Sequence, residues 1–265
     1  MIPLCLAPKI KEKIENKAVF EIEALYPGYG VTVGNSLRRV LISSLSGAAV
    51  TQMKIKGVQH EFSTIPGVIE DVVTIMLNLK QMRFKLYGEE PQKAYLKVKG
   101  EKEIKGSDFQ FPTQVELVNK NCHIAALTSR IAELEIEIQI EKGVGYLPRE
   151  SRQKEKLAIG VIPIDAIFTP VRRVSFKVEN MRVGERTDFD RLFLEIETDG
   201  IITPQDALFQ AADTLKSHFA LIEESLKPEE PIIAEKKVES KTRVSKATPK
   251  KDEKEKKGKK TKPKK

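Results

Sequence analysis

The sequence predicts an α+β fold followed by a polar tail, on three observations. Residues 26–47 read YPGYGVTVGNSLRRVLISSLSG, with Val33, Leu37, Val40, Leu41 and Leu45 at steps of three and four, the stripe of an amphipathic helix. Residues 131–143 (IAELEIEIQIEKG) instead alternate with period two, the mark of a strand with one wet face. The formal charge of +8 is uneven: residues 229–265 hold 15 Lys/Arg against 7 Asp/Glu, and residues 1–228 hold 31 of each. The body therefore lacks the basic excess of a nucleic-acid-binding domain, and the tail carries all of it.

Composition narrows the function classes further. Cys5 and Cys122 are far apart and form no C-x-x-C pair, which fits a reducing compartment and argues against a disulfide framework or a thiolate zinc site. No run reaches the 18 or so apolar residues of a membrane span. The first residues, MIPLCLAPKIKEKIENK, have too short an apolar part for a secretory leader.

Taken in order, Ala18–Leu25 alternates as a strand: Phe20, Ile22 and Ala24 lie opposite Glu21 and Glu23. The glycine-rich turn and first helix follow, with Gly47 suited to the left-handed residue that ends a helix. Arg38 and Arg39 are adjacent, so they sit about 100° apart and cannot serve the same surface. Residues 53–56 alternate again. Residues 68–82 predict a second helix with Ile69, Val72, Val73, Met76 and Leu79 as its stripe, Glu70 and Asp71 in the first turn and Lys80 in the last. Residues 83–148 read mainly as strands. Within residues 133–140, Leu134, Ile136, Ile138 and Ile140 face one way and Glu133, Glu135, Glu137 and Gln139 the other. Residues 149–156 (RESRQKEK) read as a solvated loop.

Residues 171–178 and 191–198 predict two more strands, and Asp199-Gly200 a turn. Thr203-Pro204-Gln205-Asp206 starts a last helix, with Thr as N-cap and Pro at the first position. Its stripe is Leu208, Ala211, Leu215, Phe219, Ile222 and Leu226, a heptad seam that suits a partner helix, including one from a second chain. Residues 235–265 hold too little apolar surface to order themselves.

Chemistry is hard to find. His60, His123 and His218 have no metal-ligand spacing, and there is no G-x-S-x-G. The glycines are spaced G-x-G-x-x-x-G, not as in a dinucleotide loop, and Lys54 and Lys56 stand where its acid would be. Asp188-Phe189-Asp190 could offer two carboxylates to Mg²⁺, but with Arg182, Arg186 and Arg191 nearby both are expected in surface ion pairs. The residues alone thus predict an interaction protein, a homodimer or scaffold, with no catalytic residue, cofactor, metal or small-molecule substrate of its own.

Four segments, in order, resemble the α-subunit family of bacterial-type RNA polymerase: GYGVTVGNSLRRVLISS (28–44), HEFSTIPGVIEDVVTIMLNLK (60–80), GVGYLP (143–148) and the run 171–203 containing VENMRVGERTDFDRL and ETDGIITP. The likeness covers roughly residues 10–226. It implies a homodimeric assembly platform, with residues 1–46 and 171–228 as a discontinuous helix/strand dimerisation subdomain. Residues 47–170 become an inserted β-rich subdomain and residues 229–265 a disordered basic tail. Together with the seams it assigns Leu37, Val40, Leu41, Leu45, Leu208, Leu215, Phe219 and Ile222 to the dimer interface. It assigns Arg38, Arg39, His60, Glu61 and Lys80 to contacts with the β and β′ subunits. Arg39 matches the arginine that grips β, where its planar guanidinium fork suits carboxylates or carbonyls; the alternative is an ion pair with a neighbouring strand of its own chain. Lys80 matches the lysine near β′.

The resemblance also places nucleotidyl transfer and its Mg²⁺ on another subunit, and the protein in a bacterial cytoplasm, at the nucleoid, or in a plastid. Most of the family continues into a small DNA-binding domain, whereas the polar tail here matches none. Its +8 excess suits either sequence-independent phosphate contact or solubility. Other readings are a free-standing dimeric adaptor and, from another class, a Mg²⁺ enzyme at Asp188 and Asp190.

Overall fold

The computed structural model describes residues 3–152 and 158–226. The basic tail and residues 153–156 of the charge run lie outside them. The elements in order are β1 (Lys9–Ile14), β2 (Lys17–Leu25), α1 (Tyr29–Ser43), β3 (Ser46–Ile55), α2 (Val72–Lys80), β4 (Phe84–Leu86), β5 (Gln92–Lys99), β6 (Lys102–Lys105), β7 (Val115–Leu117), β8 (His123–Leu127), β9 (Glu133–Val144), β10 (Tyr146–Leu147), β11 (Val161–Pro163), β12 (Ala166–Ile167), β13 (Val171–Val183), β14 (Arg186–Thr198) and α3 (Pro204–Ser225). The α+β class is as the sequence predicts.

Two sheets organise the chain. One, in the order β1-β2-β14-β13, is built from both ends of the sequence; the other, in the order β5-β9-β3-β4-β7 with β11 alongside β3, comes from the middle. On the first sheet, Ala18, Phe20, Leu194 and Ile196 form a core with Leu37, Leu41, Ala207 and Ala211 of α1 and α3. On the second, Leu134, Ile136, Ile138 and Ile140 of β9 pack with Val72, Ile75 and Leu79 of α2. The outer face of β9 carries cross-strand ion pairs: Lys93–Glu137 at 2.7 Å, Lys56–Glu135 at 2.9 Å, and Lys97–Glu135. Lys97 first, and Lys56 with it, hold the Glu135 carboxyl down to about 2. No helix among the described residues is long and apolar enough to cross a membrane.

The glycines of residues 28–34 serve close packing as well as a turn. Gly28 takes a left-handed φ of 83° just before α1. A Cβ on Gly30 would lie 2.7 Å from Val178 Cγ1, and one on Gly34 2.7 Å from the Phe176 ring. Helix α1 therefore lies against β13 without side chains at these two points.

Three local expectations are corrected. Gly47 does not end α1, which stops at Ser43; it belongs to β3, where a Cβ would come within 1.8 Å of the Phe168 carbonyl oxygen. Close backbone approach, not a left-handed turn, is its reason. Helix α2 starts at Val72, and Asp71 is its N-cap, accepting from Thr74 N at 2.8 Å. Ile69 and Glu70 precede it: Ile69 is exposed, and Glu70 Oε2 accepts from Ala126 N at 2.7 Å. Glu70 thus ties the loop before α2 to β8 rather than facing the helix dipole.

Candidate interaction surfaces

The last helix begins as its sequence predicts. Asp206 N donates to Thr203 Oγ1 (3.2 Å), and that hydroxyl donates to Asp206 Oδ2 (2.7 Å), closing the first turn. The α3 stripe starts inside the protein and ends outside it. Ala211 is buried, Leu208 and Leu215 are half-buried, and Phe219, Ile222 and Leu226 are 63, 53 and 74% exposed. Phe219 and Ile222, two large apolar residues on one exposed face of α3, form an interaction surface.

The α1 stripe is different. Leu37, Leu41 and Leu45 are 6, 0 and 2% exposed, packed in the core of the first sheet, with Val40, Leu208 and Leu215 lying partly buried against it. This chain's own sheet already covers Leu37, Leu41 and Leu45. Phe219 and Ile222 remain open.

The adjacent arginines diverge as their 100° spacing requires. Arg38 donates to Asn35 Oδ1 at 3.0 Å and lies 5.4 Å from the Phe176 ring centroid, so it closes the edge of the α1–β13 contact. Arg39 is exposed, and among the described residues its guanidinium has no hydrogen bond or ion pair. The alternative of an ion pair with a neighbouring strand is not realised.

The carboxylates of residues 188–190 also separate. Asp188 makes the expected surface pair with Arg186, at 2.6 Å. Asp190 does not: it is buried, and its Oδ2 accepts from both Gly28 N and Gly30 N at 2.9 Å. It sits at the positive end of α1, where a carboxylate is favoured by the helix dipole. The β2–β14 register shifts between Asp190 and Leu192, and Ala24 opposite has a φ of 60°. This irregularity re-aims the side chain. Among the described residues, no group of three or more His, Cys, Asp and Glu side chains is placed to hold a metal ion.

A second surface gathers residues distant in sequence. Arg149 Nη1 donates to Glu61 Oε1 at 3.1 Å, Arg149 N donates to Asp165 Oδ1 at 3.0 Å, and Lys80 Nζ donates to Asp165 Oδ2 at 3.1 Å. The chain Glu61–Arg149–Asp165–Lys80 alternates in sign. Burial pushes Asp165 up, but the Arg149 amide and the Lys80 ammonium outweigh it and leave its carboxyl below the usual range. The amide of Glu61 itself, then the Arg149 guanidinium, hold the Glu61 carboxyl low. His60 Nδ1 lies 3.1 Å from Ser63 Oγ, and Phe62 beside it is exposed. Glu61, Lys80 and His60 are residues the resemblance singles out; Arg149, in the charged run, and Asp165 carry no sequence signal of this pairing. Ion pairs at this surface and apolar side chains beside it suit binding. A cavity of about 380 Å³ on the outer face of the second sheet is lined by residues including Lys56, Lys97 and Glu135, already paired with one another.

The comparisons with known proteins match this architecture. A family model described as "RNA polymerase Rpb3/RpoA insert domain" matches residues 53–169, most of the second sheet's sequence. Proteins named "DNA-directed RNA polymerase subunit alpha" align over most of the chain. The one from Roseiflexus sp. (strain RS-1) is 51% identical over 210 residues, covering 78% of this chain and 64% of its own length. The one from Oceanobacillus iheyensis is 44% identical over 233 residues (86 and 73%), and that from Syntrophomonas wolfei 46% over 237 (88 and 75%). The chain spans 64% of the length of the first of these. At such identity over a span running through both sheets and all three helices, the chain belongs to the α-subunit family of DNA-directed RNA polymerase.

Proposed function

We propose that this chain pairs with a second copy of itself and that the dimer is the platform on which the β and β′ subunits assemble. In this reading residues 1–46 and 171–228 make the dimer and residues 47–170 are the insert. The observation that carries it is α3, whose seam leaves the core and continues as the exposed Phe219 and Ile222. The same seam on a second copy is the self-complementary partner that a two-fold dimer requires. Arg39, whose guanidinium is exposed and without a partner among the described residues, is the anchor for β. Glu61, His60 and Lys80 face the large subunits through the second surface; the Lys80–Asp165 and Glu61–Arg149 pairs hold those side chains in place. Nucleotidyl transfer and its Mg²⁺ belong to the other subunits. The basic tail adds sequence-independent contact with DNA phosphates.

The dimer is tested with Phe219→Asp combined with Ile222→Asp. The wild type should sediment as a dimer, and the variant as a monomer with an unchanged circular dichroism spectrum. A dimeric variant would remove α3 from the interface.

A further inference from the structure

The two sheets have separate cores, yet the chain passes between them only twice, at residues 44–47 and 168–171. Around these crossings the packing is tight: the Phe168 ring lies against Gly143, its carbonyl against Gly47, and Phe168 N donates to Gly145 O at 2.9 Å. Two crossings side by side define an axis. A side-chain contact between the halves, beyond the crossing backbone itself, is needed to fix rotation about it.

Arg83 and Asp199 supply that contact. Arg83 follows α2, Asp199 follows β14, and Arg83 Nε lies 3.3 Å from Asp199 Oδ2. This ion pair joins residues 47–170 to the rest. Asp199 Oδ1 accepts from Ile201 N at 3.1 Å on its own side, and its N donates to Pro170 O, in the second crossing, at 3.0 Å. Arg83 is held on the other, with Nη1 donating to Lys80 O at 2.8 Å and N to Asn119 Oδ1 at 2.8 Å. The Asp199 side chain is 2% exposed, and its Oδ2 has no hydrogen bond, so the guanidinium is its one counter-charge in contact. Beside the pair, Ile201 and Ile202 face Phe84 and Leu86 across a cavity of about 130 Å³. That space leaves room for the halves to shift.

We propose that the Arg83–Asp199 pair is a latch that sets the angle between the two halves. It fixes how the α3 face is oriented relative to the Glu61–Arg149–Asp165–Lys80 surface. Arg83 is bonded to the carbonyl of Lys80, so the latch reaches that surface through the last turn of α2. Separating the pair would leave a buried group without its partner, which makes the paired angle the preferred one. The inference stands on the geometry of the single chain, whether or not the assembly reading holds.

The test is a distance measurement between spin labels at exposed Glu101, in the middle segment, and Gln210, on α3. Cys5 and Cys122 are first replaced by Ser, and labelled full-length chain is mixed into a large excess of unlabelled chain. The wild type should give one narrow distance distribution. Asp199→Asn keeps an oxygen for Ile201 N but removes the charge, and should broaden or shift the distribution while circular dichroism is unchanged. Arg83→Met should do the same; should it fail to fold, Asp199→Asn carries the test alone. A distribution as narrow in Asp199→Asn as in the wild type, at the same distance, would overturn the latch.

Discussion

Helices α1 and α3 carry stripes that look alike in sequence, and the folded chain treats them differently. Leu37 and Leu41 of α1 are sealed against β2, β13 and β14, because Gly30 and Gly34 let the helix backbone approach the sheet. Helix α3 uses only its first half this way. By Phe219 it has outrun the sheet, and its stripe continues into solvent. The difference teaches that periodicity identifies an apolar face but not what covers it. Coverage depends on helix length against the width of the sheet beneath, and that width is set by strands far away in the chain.

The largest effects are expected from truncating each stripe in turn. Leu41→Ala should lower unfolding stability by about 2–5 kcal/mol, as a fully buried leucine does. Chemical denaturation should show that loss at every protein concentration. Phe219→Ala should instead leave the monomer's stability within about 0.5 kcal/mol, as for an exposed site, and act only where protein concentration matters. Equal, concentration-independent losses from both would mean that the stripes are equivalent after all.

A smaller effect is expected at the start of α1. Asp190→Asn removes the charge facing Gly28 N and Gly30 N and should cost about 1–2 kcal/mol, the scale of a helix cap with its dipole contribution. Asp188→Asn, whose partner Arg186 is exposed, should change stability by less than about 0.5 kcal/mol. Thermal unfolding of the two variants compares them directly, and the reverse ranking would contradict the cap assignment.

The smallest effect depends on pH. His123 Nε2 lies 2.7 Å from Glu70 Oε1, and Nδ1 3.3 Å from Glu103 Oε1. The Glu70 hydrogen bond, with Glu103 helping, raises the imidazole above its ordinary 6.5. The folded state therefore holds the proton more tightly. The stabilisation is full below about pH 6.5 and fades as pH rises through the folded value. His123 is part-exposed, so solvent screening keeps the contribution small. The stability gap between wild type and His123→Gln, followed by denaturation from acid to alkaline pH, should shrink toward alkaline pH. A gap that widens there would reverse the assignment.

Local signals carried much of the fold. The alternation of β9 and the Thr203 cap each depend on neighbours in sequence, and both stand as read. What escaped depends on distant partners. Arg149 sits in a charged run that looks solvated, yet it bonds Glu61, 88 residues earlier. Asp190 shares a motif with Asp188, and only a register shift against β2 separates their fates. A glycine after a helical stripe signals a helix end locally, but the Phe168 carbonyl that excludes a Cβ on Gly47 lies far along the chain. In the candidate surfaces, charged residues were legible by type, while their pairing was not.

The platform reading is tested most directly by the mass of the chain in solution, alone and mixed with β, for the wild type and Arg39→Ala. The account predicts a wild-type dimer that takes up one β, and a variant that dimerises but takes up none. A wild-type chain that stays monomeric and ignores β would contradict it.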